Sequence, residues 1–369
     1  MSPRKEILLI YIEPTPYIIE LVQNISKEWG GVLRTVFLAS DVTQNWDIEL
    51  PERAEILKGN GLKKAKKIHA IVKEFRPSII HIAGWGNAVM LTTMMLGLSY
   101  RIPVTVESDT WSGASFSWKK IIKGFFYPWI FRIPAIFFAG GTRQTKYLKF
   151  YKVKSSKIVK VNMTVDTKKI TKYVKSLDSH KRNLIRRKYG LCTKSVIFLY
   201  VGRLEDYKGY KILLEAFESL WDDSAKIELI LVGGGSGLSE ISSRTFAKDG
   251  LMSVGRKSGD DLLDLFAVAD VSIVPSLSEQ WGLVVNESLA AGLPVIVSDQ
   301  VGCIDDLVEG GENGVIVRSG SPEALAQAIV KLANDSKTRE EMSIQGLRII
   351  KPWTLQNEAK ILVSKWNEL

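Results

Sequence analysis

Apolar residues in this chain come in short runs, divided by stretches in which they recur at every third or fourth position. "EILLIYI" reads as a buried strand, and "YIIELVQNISKEW" behind it as an amphipathic helix. "RTVFLAS", "SIIHIAG", "PVTVESD", "AIFFAGG" and "KIVKVNM" continue the strands, with "GLKKAKKIHAIVKEF" and "AVMLTTMMLGLSY" as helical spacers. Near-continuous apolar strands separated by helices predict a parallel sheet covered on both faces. Residues 165 to 190 then lapse into a polar, basic stretch, "DTKKITKYVKSLDSHKRNLIRRKYG", where the domain boundary is expected. The alternation restarts with the strand "SVIFLYVG", the helix "GYKILLEAFESLW" and the strand "IELILVGGG". "SVGR", "GDDLLDLFAVAD", "VSIVPS", "PVIVSD", "GVIVRSG" and "PEALAQAIVKLAND" complete a second series. The pattern predicts two doubly wound α/β units, whose ligands belong at the carboxyl ends of the strands. The expected bounds are 1–185, 186–350 and a tail helix over 351–369.

Composition adds little to this picture until charge is considered. With 369 residues, 46% of them hydrophobic, the chain has material for two cores without a disulfide or metal staple. Its two cysteines, Cys192 and Cys303, are far apart, which fits a reducing compartment and excludes a Cys-rich zinc site. "MSPRKEILLIYI" has too short an apolar run for a signal peptide, and no uninterrupted run is long enough to span a bilayer. A cytoplasmic protein is therefore expected, with peripheral membrane attachment as an option. The net charge of +10 is unevenly spread: residues 1–190 hold 33 Lys+Arg against 14 Asp+Glu, and the remainder 17 against 26. A basic first half suits nucleic acid, an anionic membrane or an anionic substrate, or is simply a solvated surface. No nucleic-acid-binding module is recognisable, which makes nucleic acid the poorest of these.

Candidate chemistry gathers in the second half. "YVGRLEDYKG" sets Arg203 and Lys208 in a loop that follows a strand, where two cations suit a diphosphate, although loop cations are commonly just solvated. "LVGGGSG" is a Gly-rich turn without the Lys-Ser/Thr of a P-loop, and a plain tight turn accounts for it. "PSLSEQWGLVVNESLAAGLPVIVSD", residues 275–299, is more informative. Trp281 and Gly282 precede a helix expected over Leu283 to Ala291. Amides around Gly282, Leu283 and Val284 would form an anion site with the helix dipole behind it. Glu287 lies one turn on, where a carboxylate can accept two hydroxyl hydrogen bonds, as a ribose offers. Glu279 sits in the turn before the helix, in reach of a second hydroxylated group. The alternative is two merely exposed acids.

The segment resembles the E-x7-E element of retaining GT-B glycosyltransferases of the family-4, or glycosyl transferases group 1, type. "VGRLEDYKG", "LVGGG", "AVADVSIVPSLSEQWGLVVNESLAAGLPVIVSDQVG" and "DDLVEGGENGVIV" follow in that family's order, and "VNMTVDTKK" is similar to its Asn-Gly-Val-Asp segment. The resemblance implies two Rossmann-like domains facing a central cleft, with the tail helix returning to the first. It implies a retaining, metal-independent transfer of a sugar from a nucleotide-diphosphate donor, UDP by preference, to a hydroxyl of a glycan or lipid-linked glycan. Arg203 and Lys208 would hold the diphosphate and stabilise the leaving nucleotide, Glu287 the ribose, and Glu279 the donor sugar. Gly255 and Arg256 would border the base. No cofactor is implied. The rivals are a nucleotide-sugar epimerase of the same fold and a non-catalytic sugar- or lipid-binding subunit.

The first half departs from the family. "EPTPYII" stands where a glycine-rich loop is usual, and Glu107, Ser108 and Asp109 stand where a His is usual. His81, Glu107 and Asp109 are the acceptor-side candidates. "SFSWKKIIKGFFYPWIFRIPAIFF" mixes aromatics with Lys119, Lys120, Lys123 and Arg132, a combination suited either to a membrane interface or to a core helix with a solvated lysine edge.

Overall fold

A computed structural model describes residues 5–40, 49–112, 118–220, 227–243 and 250–369, with the side chains of 118–121, 242 and 243 outside that description. The chain divides into two compact units, Met1–Val165 with Thr354–Leu369, and Asp166–Trp353. Among the described residues no helix is long and apolar enough to cross a membrane.

Among the described residues the first unit is built on seven parallel strands: β1 (Glu6–Tyr11), β2 (Val32–Phe37), β3 (Ala54–Ile56), β4 (Ile79–Ala83), β5 (Val104–Ser108), β6 (Ile136–Ala139) and β7 (Ile158–Lys160). Their spatial order is β3-β2-β1-β4-β5-β6-β7. Alternation along each strand sorts the side chains onto two cores. Leu8, Ile10, Ile80, Ile82, Val104 and Val106 face one way. Ile7, Leu9, Tyr11 and Phe138 face the other, where the C-terminal helix Leu355–Asn367 covers them with Leu355, Ala359, Leu362, Val363 and Trp366.

The described residues of the second unit form six parallel strands: β8 (Val196–Val201), β9 (Ile227–Val232), β10 (Leu251–Ser253), β11 (Val271–Val274), β12 (Val295–Ser298) and β13 (Gly314–Val317). Their order is β10-β9-β8-β11-β12-β13. The winding reverses between β8 and β11, which pair directly. Loops leaving the carboxyl ends of two such strands diverge in sequence yet share a crevice.

The basic stretch after Val165 is ordered as two helices, Thr167–Ser176 and Ser179–Lys188. Its charges have structural work. Arg186 reaches Asp270 at 3.1 Å, Arg182 donates to the Val174 carbonyl at 2.9 Å, and the Tyr173 hydroxyl donates to Asp264 at 2.7 Å.

Candidate functional site

The reversal between β8 and β11 brings two loops together at the carboxyl edge of the second sheet. After β8, the chain runs through Arg203 into a single 3-10 turn, Asp206–Lys208, that ends on Gly209 in the left-handed region at φ +75°. The Leu277 and Ser278 amides donate to the Tyr207 carbonyl at 2.8 and 3.2 Å, so the β11 loop is hydrogen-bonded to the β8 loop. A Cβ at position 209 would stand 2.1 Å from the Pro275 carbonyl oxygen, and only glycine permits this approach.

Three charged side chains converge there. The Lys208 ammonium makes an ion pair with the Glu279 carboxylate, and both side chains are largely buried. Arg203 donates to the Tyr207 hydroxyl. Both cations lie against the Tyr207 ring, whose centroid is 5.4 Å from the Arg203 guanidinium and 5.6 Å from the Lys208 nitrogen. Cations held against an aromatic face are pre-positioned, so little rotamer freedom is lost when an anion arrives. Tyr200 supports the floor: its buried hydroxyl donates to the Arg203 carbonyl at 2.7 Å, and burial with the nearby Glu279 pushes its phenol far above the ordinary range.

Glu279 is fixed by its backbone. Its amide donates to the Gln300 carbonyl at 3.2 Å, and its carbonyl accepts from Gly302 at 3.1 Å, forming an isolated parallel bridge to Val301. Trp281 follows with its indole buried, donating to Asn286 Oδ1 at 3.0 Å and lying 5.7 Å from the Trp353 ring. The side chain of Trp281 thus faces the interior. Gly282 is the N-cap of the helix Leu283–Ala290, at φ +97°, and as a glycine it brings no side chain of its own to that terminus. The Val285 amide turns back to the Gly282 carbonyl at 2.8 Å, whereas the amides of Leu283 and Val284 belong to the first turn, where helix donors lack an internal partner. Glu287, half-buried, sits one turn along from Leu283.

The glycine loop after β9 completes this edge. Gly233 donates to the Gly255 carbonyl at 2.9 Å, and Gly255 is itself left-handed at φ +67°. Arg256 is exposed and lies across the loop, with its Nε 2.8 Å from where a Cβ on Gly234 would stand. Glu205 ties the β8 and β9 loops together by accepting from the Ser236 hydroxyl at 2.7 Å and amide at 3.0 Å. Those two hydrogen bonds hold its carboxyl below the usual carboxylate range. Neither Glu205 nor Tyr207 stood out in the sequence reading, although both lie inside the quoted "VGRLEDYKG".

A cavity of about 420 Å³ lies elsewhere in the second unit, near Asp270, Pro294 and Arg339. Asp270 and Pro294 precede β11 and β12, so this cavity opens at the amino ends of those strands, opposite the charged cluster.

The acceptor-side candidates fall in the first unit. Strand register aligns His81 with Thr105 and Ala83 with Glu107, which puts His81, Thr105 and Glu107 on the face beneath the C-terminal helix. His81 is fully buried, with Nδ1 3.0 Å from Thr105 Oγ1 and Nε2 3.3 Å from Glu107 Oε2. The Trp366 indole donates to the same Thr105 oxygen at 3.1 Å. All three contacts are satisfied if Thr105 donates to Nδ1 and the imidazole donates from Nε2 to Glu107. Glu358, on the covering helix, is buried as well; burial, then the neighbouring Glu107 charge, drive its carboxyl well above the usual range, against one hydrogen bond from the Thr164 amide. Asp109 is exposed, and its carbonyl accepts from Gln144 at 3.1 Å. The structure therefore separates Asp109, at the surface, from His81 and Glu107, which join an interior network with Glu358. Glu358 was not singled out by sequence, where it reads as one more polar position of an amphipathic helix.

Residues 181–348 match the family model of glycosyl transferases group 1. Among curated proteins, the D-inositol 3-phosphate glycosyltransferase of Corynebacterium glutamicum is 29% identical over 192 residues, which is 50% of this chain and 46% of that protein. This chain thus matches about half the length of that relative. Among solved structures, the sucrose-phosphate synthase of Thermosynechococcus elongatus superimposes with a TM-score of 0.78 at 18% identity, over 99% of both chains. Anabaena HepE in complex with UDP gives a TM-score of 0.77 at 15% identity, over 99% of this chain and 100% of that one. At such identities the likeness defines architecture, and the architecture is GT-B.

Proposed function

We propose that this protein, whose residues 181–348 match the model of glycosyl transferases group 1 on a chain of GT-B fold, transfers a sugar from a nucleotide diphosphate to a hydroxyl. UDP is our donor, supported by the Anabaena neighbour whose structure holds UDP. The acceptor we favour is a hydroxyl of a glycan or lipid-linked glycan, with the anomeric configuration retained, made at a bilayer surface. In this reading the bond from the anomeric carbon to the diphosphate breaks, one to the acceptor oxygen forms, and the acceptor proton leaves with the nucleotide. Negative charge grows on the departing diphosphate. Arg203, Lys208 and the first-turn amides of Leu283 and Val284 are placed to stabilise it without a metal. Glu279 shares Lys208 with the diphosphate and meets the sugar, Glu287 meets the ribose, and Gly255 with Arg256 border the base. Trp281 contributes through its main chain.

The observation that carries this reading is the Lys208–Glu279 ion pair at the point where the second sheet reverses, beside a helix whose N-cap is the glycine Gly282. Incubation with UDP-, GDP- and ADP-sugars tests it, following release of free nucleoside diphosphate with and without a glycan acceptor. Turnover of at least one donor is expected, and the product's anomeric signal in proton NMR reports retention. Absence of turnover across the panel, together with interconversion of donor epimers, would replace transfer by epimerisation.

A further inference from the structure

The helix Trp118–Ile130 carries apolar side chains on both of its faces. Tyr127 and Ile130 point inward, packed on the core around Trp85 and Phe131. Ile122, Phe125, Phe126 and Trp129 point outward, exposed by 48, 76, 59 and 64%. Their spacing of three, four and seven residues places all four on one stripe of the helix. Exposing three aromatic rings and an isoleucine side by side is unfavourable in water and marks a surface that meets something else.

The rim of the stripe identifies the partner. Arg132 lies over the outer Trp129 ring at 4.4 Å, and Lys123 lies 5.7 Å from the Tyr127 ring. The Tyr127 and Tyr151 rings are 5.0 Å apart, which brings the end of the next helix, with exposed Lys149 and Lys152, beside this one. Between Asp109 and Asp166 the chain has eleven Lys or Arg and no acid. A protein partner would need a matching acidic rim around an apolar groove. An anionic bilayer offers both components at once, acyl chains for the rings and phosphate head groups for the cations. Thirteen residues are too few to span.

We propose that this helix lies flat in the head-group layer of an anionic membrane, with Ile122, Phe125, Phe126 and Trp129 inserted and Lys123 and Arg132 on lipid phosphates. It gives a location to the membrane part of the reading above, and vesicle binding can be measured without any donor. Lys119 and Lys120, also suggested by sequence, have side chains outside the described residues.

Flotation of the full chain with phosphatidylcholine vesicles, with and without about a third phosphatidylglycerol, provides the test. Binding is expected with the anionic vesicles and little with the neutral ones. Phe125→Ser and Phe126→Ser should each weaken it on the order of tenfold, and the double variant should stay in the bottom fraction. Both positions are exposed, so the melting curve should not fall. Lys149→Glu with Lys152→Glu should weaken binding too, and more strongly at low salt. Three results overturn the proposal: no flotation of the native chain, flotation indifferent to the ring substitutions, or a dimer in solution that the ring substitutions dissolve, which would make a second copy the occupant. A chain that floats but turns over no donor would refute the transferase reading and leave this surface in place.

Discussion

Lys208 is the residue on which the candidate site turns. Its ammonium is held against the Tyr207 ring and the Glu279 carboxylate, so in the proposed function the same positive charge meets the diphosphate without a search of rotamers. A charge-assisted hydrogen bond to a buried anion contributes roughly 1.5–3 kcal/mol, so Lys208→Ala should weaken nucleoside diphosphate binding by about ten- to a hundredfold. Glu279→Gln keeps the shape, removes the ion pair and leaves Lys208 without its counter-charge. Tighter nucleotide binding with slower sugar transfer is the expected pairing, read from titration and turnover side by side. A second residue-scale prediction concerns Glu358. Its carboxyl is raised by burial and by Glu107, so the folded state holds a proton that the unfolded chain releases at lower pH. Stability from this group is therefore full in acid, below the unfolded pKa, and is lost as pH rises through the folded one. Glu358→Gln carries no titrating proton and can still accept from the Thr164 amide. The variant should gain melting temperature over the native chain at about pH 8 and show little difference near pH 4, in paired thermal scans.

At the level of elements, the loops at the carboxyl edge of the second sheet depend on two glycines that touch other backbone or packed side chains. Gly209→Ala would drive a methyl to 2.1 Å from the Pro275 carbonyl, which separates the Arg203–Lys208 loop from the Glu279 loop. Gly282→Ala would put one 2.7 Å from Val301 in a left-handed backbone. Each should destabilise by about 1–3 kcal/mol, and the first should also abolish nucleotide binding. The strands were legible because buried parallel strands are near-continuous apolar runs. β3, "AEI", was missed: it has three residues and only half-buried positions. The basic segment after Val165 read as a boundary because its helices meet the helix Gly259–Val268 through polar contacts, Tyr173 to Asp264 and Arg186 to the Val268 carbonyl, and its apolar period is short, with Ile170 and Val174 buried in the first of the two helices. The meeting of Lys208 with Glu279 was foreshadowed by spacing matched to a family, which also proposes Glu287. Glu205 and Tyr207 were not, because their roles are to hold neighbouring loops and cations, which no spacing encodes. The helix Trp118–Ile130 was legible as mixed basic and aromatic, but which rings face water required its packing against Trp85 and Phe131.

For the whole molecule, the course of the chain decides where its last helix is buried. The chain crosses into the second unit and returns, and Trp366 is completely buried in the first unit beside His81 and Trp29. Trp366→Ala should cost about 3–5 kcal/mol, appearing as an earlier melting transition whose loss is confined to signals of the first unit. The measurement that bears most directly on the account is calorimetric titration of UDP into the native chain and into Lys208→Ala. The account predicts a saturable isotherm for the native chain, stronger for UDP than for uridine, and a dissociation constant at least about tenfold weaker for the variant. Equal affinities for the two chains, or no preference for UDP over uridine, would contradict the placement of a diphosphate at Lys208.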